Sequence, residues 1–267
     1  MKRLINIVLL LLLSIYLSGQ VVTTSVYFAP PISASPPEEG TYPAVLDDGH
    51  TVAWFISDST ANMTRDGDNL VSSWGDETAN NHDLVEATTD YQPLWQATGI
   101  LFNHGNQVGE GETYHNWDRL RVTFAYDQPA MVYMVIRQLS WTTDDYIMDG
   151  YNVDNLGLYQ NGTTPDLKTY AGTASASNSN LALNTWGILR IKYDGANSSF
   201  QVNETSAITT NIGTNDPEGI TLGRPGNVDS SYGHFEVAEI IFRDILDGST
   251  DADAIYDYLN AKYSLGL

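Results

Sequence analysis

From about residue 45 onward, apolar and polar residues alternate in short runs separated by Gly, Asn and Asp. Side chains alternate between faces along a strand, so such runs predict half-buried β-strands. Residues 52–56 (VAWFI) form the first. Residues 120–126 (LRVTFAY) alternate cleanly. Residues 130–137 (AMVYMVIR) are apolar almost throughout, as a central strand buried on both faces must be. Runs at 154–160, 186–193, 199–203, 219–223 and 235–243 follow. Asp194-Gly195 falls between two of them and signals a hairpin.

Only the end has a helical period. Ala254, Ile255, Tyr258, Leu259 and Tyr263 recur at helical spacing. Ser249 and Thr250 offer caps, Asp251 and Asp253 complement the dipole, and Gly266 offers a stop. The pattern predicts one amphipathic helix over residues 250–263, lying on an all-β, two-sheet antiparallel sandwich.

The start of the chain reads differently. Lys2 and Arg3 precede an apolar run, residues 4–17, that ends in small residues. That is the layout of a secretory signal, expected over residues 1–19 with cleavage after Gly19. A retained anchor is the alternative, although a membrane span needs about 20 residues. Residues 20–44 hold Pro30, Pro31, Pro36, Pro37 and Pro43 and read as an extended, semi-rigid linker. Residues 45–267 then form the folded domain, and the location is secreted or cell-surface.

Charge narrows the partners. The chain has 12 basic and 33 acidic residues, a net charge of −21. That field repels phosphate backbones and anionic lipids, which argues against nucleic-acid partners and membrane insertion of the mature chain. The absence of cysteine removes disulfides, thiol nucleophiles and thiolate zinc sites.

Two kinds of candidate remain. Hard cations want clustered oxygens on loops, and Asp144, Asp145 and Asp149 are the candidate metal set. Asp66–Asn69 and residues 227–229 are similarly rich, but turns use these residue types anyway. Sugars want an aromatic platform with polar acceptors at its rim. Trp54, Trp74 and Trp186 fall in strand or core patterns. Trp117 and Trp141 fall in polar loops, and with Tyr114, Tyr146, Tyr151, Asp229 and Tyr232 they are the candidate ligand-binding surface. The loops at 109–118, 139–152 and 226–234 carry it.

Several segments in order resemble a known family. They are Val52-Ala53-Trp54-Phe55, Ser73-Trp74-Gly75-Asp76 with Asn80-Asn81-His82-Asp83-Leu84, Tyr91-Gln92-Pro93 leading to Gly99-Ile100-Leu101-Phe102-Asn103, and Gln128–Arg137 paired with 146–150. Trp186, Asp194-Gly195, Thr221-Leu222-Gly223 and 237–242 follow, leading into Tyr258-Leu259-Asn260-Ala261-Lys262-Tyr263. Together they resemble the concanavalin A-like lectin/glucanase superfamily, in particular bacterial and phage LamG-like domains. The resemblance implies a jelly-roll sandwich that binds carbohydrate or protein, often with a structural Ca²⁺. It implies no catalytic centre.

Catalytic relatives set a test. Retaining glycosidases need two carboxylates about 5–5.5 Å apart. Glu236 and Glu239 are the acidic pair on a strand, and a spacing of three places them on opposite faces. A lyase needs Tyr or His beside Arg and Gln or Asn, and Arg119, Arg121, Tyr133, Arg137 and Gln138 show no such spacing. His50, His82, His104, His115 and His234 are scattered. The expectation is a secreted, non-catalytic recognition or adhesion module that binds glycan. A lyase or glycosidase of the same fold and a structural cell-surface or virion component are the alternatives.

Overall fold

The computed structural model describes residues 42–103, 117–152, 155–173, 175–226 and 228–267. Among these, the chain forms seventeen strands and one long helix. The first are β1 (Thr51–Ile56), β2 (Met63–Arg65), β3 (Val71–Trp74), β4 (Leu84–Val85), β5 (Leu94–Gln96) and β6 (Gly99–Phe102). Then come β7 (Leu120–Val122), β8 (Ala130–Gln138), β9 (Tyr146–Gly150), β10 (Gly157–Gln160), β11 (Leu167–Tyr170) and β12 (Ser175–Asn178). The rest are β13 (Trp186–Tyr193), β14 (Ser199–Val202), β15 (Ile208–Thr209), β16 (Ile220–Leu222), β17 (Phe235–Arg243) and helix α1 (Ser249–Lys262).

The strands make two antiparallel sheets. Sheet A runs β15-β14-β13-β8-β17-β6-β5, and sheet B runs β12-β11-β10-β9-β16-β7-β4-β3-β2. Strand β1 shares an edge of β17 with β6: Phe235–Val237 pair with β6, and Glu239–Arg243 pair with β1. The fold is the expected two-sheet sandwich with a C-terminal helix.

Two apolar clusters hold it. The larger lies between the sheets and includes Phe55, Trp74, Phe102, Val132, Met134, Ile136, Leu158, Leu222 and Phe242. The smaller covers the outer face of sheet A, where Trp54, Met131, Tyr133, Val135, Ile188 and Ile241 meet Ile255, Tyr256 and Leu259 of α1 and its C-cap Tyr263. Successive residues of β8 thus serve opposite clusters, which accounts for its nearly unbroken apolar run. Tyr42 packs edge-on to Trp54 at 5.0 Å, so the described chain enters the fold on this same face.

Several expected boundaries move. Strand β7 stops at Val122, although Phe124 and Tyr126 remain buried. Their rings meet Phe242, so this alternation fills the core without making a ladder. Helix α1 starts one residue earlier, with Gly248 as its N-cap and no side-chain cap bond. Ala252 and Tyr256 are buried where Ala254 and Tyr258 were expected, and both of those are half-buried. Its end is turned by Ser264, with φ +51°, ahead of Gly266. The Asp194-Gly195 signal holds: β13 and β14 pair antiparallel around a short 3₁₀ turn at Gly195–Asn197.

The largest correction concerns Glu236 and Glu239. The register of β17 slips between Val237 and Glu239 against β8, a β-bulge. One extra residue restores the alternation, so both carboxylates lie on the outer, helix-bearing face. Glu236 is fully buried and bonded to Thr98 and Arg137. Glu239, also fully buried, accepts from Trp54 Nε1 (2.7 Å), Tyr258 OH (3.2 Å), Lys262 Nζ (2.7 Å) and Tyr263 OH (2.7 Å).

Candidate functional site: an aromatic band on sheet B

In sheet B, Leu158 and Leu167 point into the core. Their neighbours Tyr159 and Lys168, a cross-strand pair of β10 and β11, therefore stand on the outer face. Tyr159 also pairs with Tyr146 of β9, and the two rings stack 4.8 Å apart at 13°. On the other side of Tyr146, an isolated parallel bridge sets Tyr232 beside it. The ring of Tyr232 lies 6.5 Å from Trp117, which lies 6.0 Å from Tyr91. Arg119 caps Tyr91 at 5.0 Å, and Lys168 caps Tyr159 at 5.6 Å.

The trio Tyr91, Trp117 and Tyr232 and the stacked pair Tyr146 and Tyr159 are thus set side by side by the backbone bridge, forming an aromatic band with a cation over Tyr91 and another over Tyr159. Trp117 is the most open of these five rings, 43% exposed. Arg119 is fixed by Glu86 and by its own N–H, which donates to Tyr91 O at 2.8 Å. Burial pushes the Tyr232 hydroxyl up, Tyr91 adds to that, and Arg119 opposes it. Asn103, at the end of β6, donates from Nδ2 to Tyr232 O at 3.3 Å. Its Oδ1 is buried with no partner among the described residues.

The expected ligand residues divide. Trp117, Tyr146 and Tyr232 come together. Tyr151 does not join them: it follows β9 at the opposite end, about 17 Å from Tyr146 at ~3.3 Å per residue, beneath Arg121 at 5.0 Å. Trp141 is half-buried in the loop between β8 and β9, and its indole N–H has no partner among the described residues. Asp229 is exposed and pairs with the buried Arg224. Tyr114, His104 and His115 lie outside the described residues. Tyr91, Tyr159 and Lys168 were not singled out from sequence. Tyr159 sits on the outward parity of its run, a signal that was present.

The three aspartates have different surroundings. Asp149 is fully buried, and its carboxylate accepts backbone N–H groups from Gly150 (2.8 Å) and Gly226 (3.0 Å). Asp144 is exposed at a turn with φ +66°. Asp145 is partly buried, and burial pushes its carboxyl up to about 6, with Asp144 adding to the shift and a Thr142 hydrogen bond opposing it. Among the described residues no group of three or more His, Asp or Glu is placed to hold a metal ion.

The residues weighed for a lyase site are scattered too. Tyr133 is buried and donates to Asp247 at 2.8 Å, Arg137 pairs with Glu236, and Gln138 is buried against Pro165, Leu181 and Gln160.

No protein-family model and no curated protein matches this sequence. Solved structures do resemble its fold. A Trypanosoma rangeli sialidase in complex with sialic acid matches with TM-score 0.55 and 12% identity, over 86% of this chain and 37% of that one. Botulinum neurotoxin type C, whose cell entry depends on interaction with two ganglioside molecules, matches with TM-score 0.53 and 12% identity, over 81% of this chain and 52% of that one. A GH54 α-L-arabinofuranosidase matches with TM-score 0.53 and 11% identity, over 73% and 51%. The likeness is one of fold: the chain shares the β-sandwich of these structures. It spans between about a third and half of these proteins. No helix among the described residues is long and apolar enough to cross a membrane.

Proposed function

We propose that this chain is a secreted, non-catalytic recognition module that binds carbohydrate on the aromatic band, and that it is LamG-like within its fold. The observation that supports this most directly is the trio Tyr91, Trp117 and Tyr232 held beside the stacked pair Tyr146 and Tyr159 by a backbone bridge, with polar groups at their rims. A pyranose has an apolar face for a ring and hydroxyls for the groups around it. The bonded states of Glu236 and Glu239 favour binding over hydrolysis. The likeness to proteins whose names record sialic acid and gangliosides is in keeping with a glycan partner.

The test is a glycan-array screen of residues 20–267, with product formation followed in the same wells, run with calcium and with chelator. Trp117→Ala and Tyr232→Ala are each expected to weaken binding by about tenfold or more, as central aromatic anchors do. Their melting temperatures should stay near that of the parent. Unchanged affinity in both variants, or turnover of a bound glycan, would overturn the reading.

A further inference from the structure

Arg224 sits where the ladder of the site ends. Gly223 N–H donates to Ile147 O at 2.9 Å, and Gly223 O accepts from Gly233 N–H at 3.1 Å. Arg224 therefore follows directly from a point held between the strand of Tyr146 and the turn of Tyr232. It is 3% exposed. Its Nε and Nη1 are both buried with no hydrogen-bond partner among the described residues, although Nη1 lies against the Asp229 carboxylate. Its guanidinium pairs with Asp229, whose side chain is 71% exposed.

The pairing is lopsided. A guanidinium stays charged at any ordinary pH, and burying it without a counter-charge costs several kcal/mol. Its planar fork presents donors matched to the two oxygens of a carboxylate. Here the counter-charge comes from a mostly solvated side chain, while a donor of the same fork is left unused. An incoming carboxylate can take the place of Asp229 without leaving the guanidinium bare, because Asp229 returns to water at little loss.

We propose that Arg224 reads the carboxylate of an acidic sugar at this end of the band, and that Asp229 occupies the guanidinium until such a ligand displaces it. The proposal rests on the glycan-binding reading above and names the class of glycan.

The experiment titrates the full chain with acidic oligosaccharides, each beside its carboxyl-reduced, neutral counterpart, by calorimetry. The acidic member of a bound pair is expected to bind about tenfold tighter. Asp229→Asn removes the internal competitor and should tighten acidic ligands several-fold while leaving neutral ones unchanged. Arg224→Lys should abolish the preference. If that variant fails to fold, Asp229→Asn and the paired ligands still decide. Equal affinity for both members of the pairs, or Asp229→Asn weakening the acidic one, overturns this proposal and leaves the glycan reading standing. Absence of binding to acidic and neutral glycans alike overturns both.

Discussion

Glu239→Ala is the most informative single change, because one buried carboxylate joins three separate parts of the fold. It takes donors from Trp54 on β1 and from Tyr258, Lys262 and Tyr263 at the end of α1. Lys262 is only 6% exposed at its side chain, so it stays buried when its partner is removed. Breaking a buried ion pair from one side costs about 3–5 kcal/mol, and orphaned donors add to this. Asp58 stands 4.0 Å from Lys262 and offsets part of the loss, which places the sum near the lower end. In a domain of this size 1 kcal/mol lowers Tm by about 2–4 °C, so a fall of roughly 6–15 °C is expected. Thermal unfolding followed by near-ultraviolet circular dichroism measures it, and Trp54, packed beneath α1, reports directly. Lys262→Met added to Glu239→Ala should recover stability, because the buried charge is gone. A fall below about 2 °C, or strict additivity of the two changes, would refute the claim that this carboxylate fastens the helix.

Further outcomes follow from other positions. Asp145 has its carboxyl raised to about 6 by burial, so the folded form holds its proton more tightly than the unfolded chain does. Its destabilising effect is absent below about pH 4, grows between about pH 4 and 6 while the unfolded chain is ionised and the folded state still protonated, and is fully present above about 6. Asp145→Asn should therefore raise Tm at pH 7.5 and leave it unchanged at pH 3.5; equal gains at both would contradict this origin. Gly219 has φ +120°, and a Cβ there would lie 2.0 Å from Val122 O. Gly219→Ala should destabilise by more than about 2 kcal/mol in urea titration, whereas Gly67→Ala, with open space around it, should change stability by less than ~1 kcal/mol.

The sheets were legible where burial and pattern coincide. Strands β8, β13 and β17 are long and apolar, and their period declares them. Strands of two to four residues such as β4, β11 and β15 carry too few positions to show a period. The β17 bulge was invisible, since no residue type marks it, and it reversed the expected placement of Glu236 and Glu239. Half of the site was readable for a similar reason. Trp117 and Tyr232 stood out as aromatics in polar loops, but their union with Tyr146 depends on a bridge between residues far apart in sequence. Asp beside Gly suits both cation loops and turns, so the sequence pattern at Asp149 does not carry the backbone donors of Gly150 and Gly226 that its carboxylate meets in the fold.

The described chain both enters and leaves on the outer side of sheet A. Tyr42 and Leu46 pack there, Arg243 binds Asp48 and Val45 O, and the chain end is held by Asn260 bonding to Leu267. The aromatic band is on the other layer. A fusion, label or solid support attached ahead of Tyr42 or after Leu267 therefore leaves the band pointing outward, so arrays of the immobilised domain can present it at high density and turn weak single contacts into avidity.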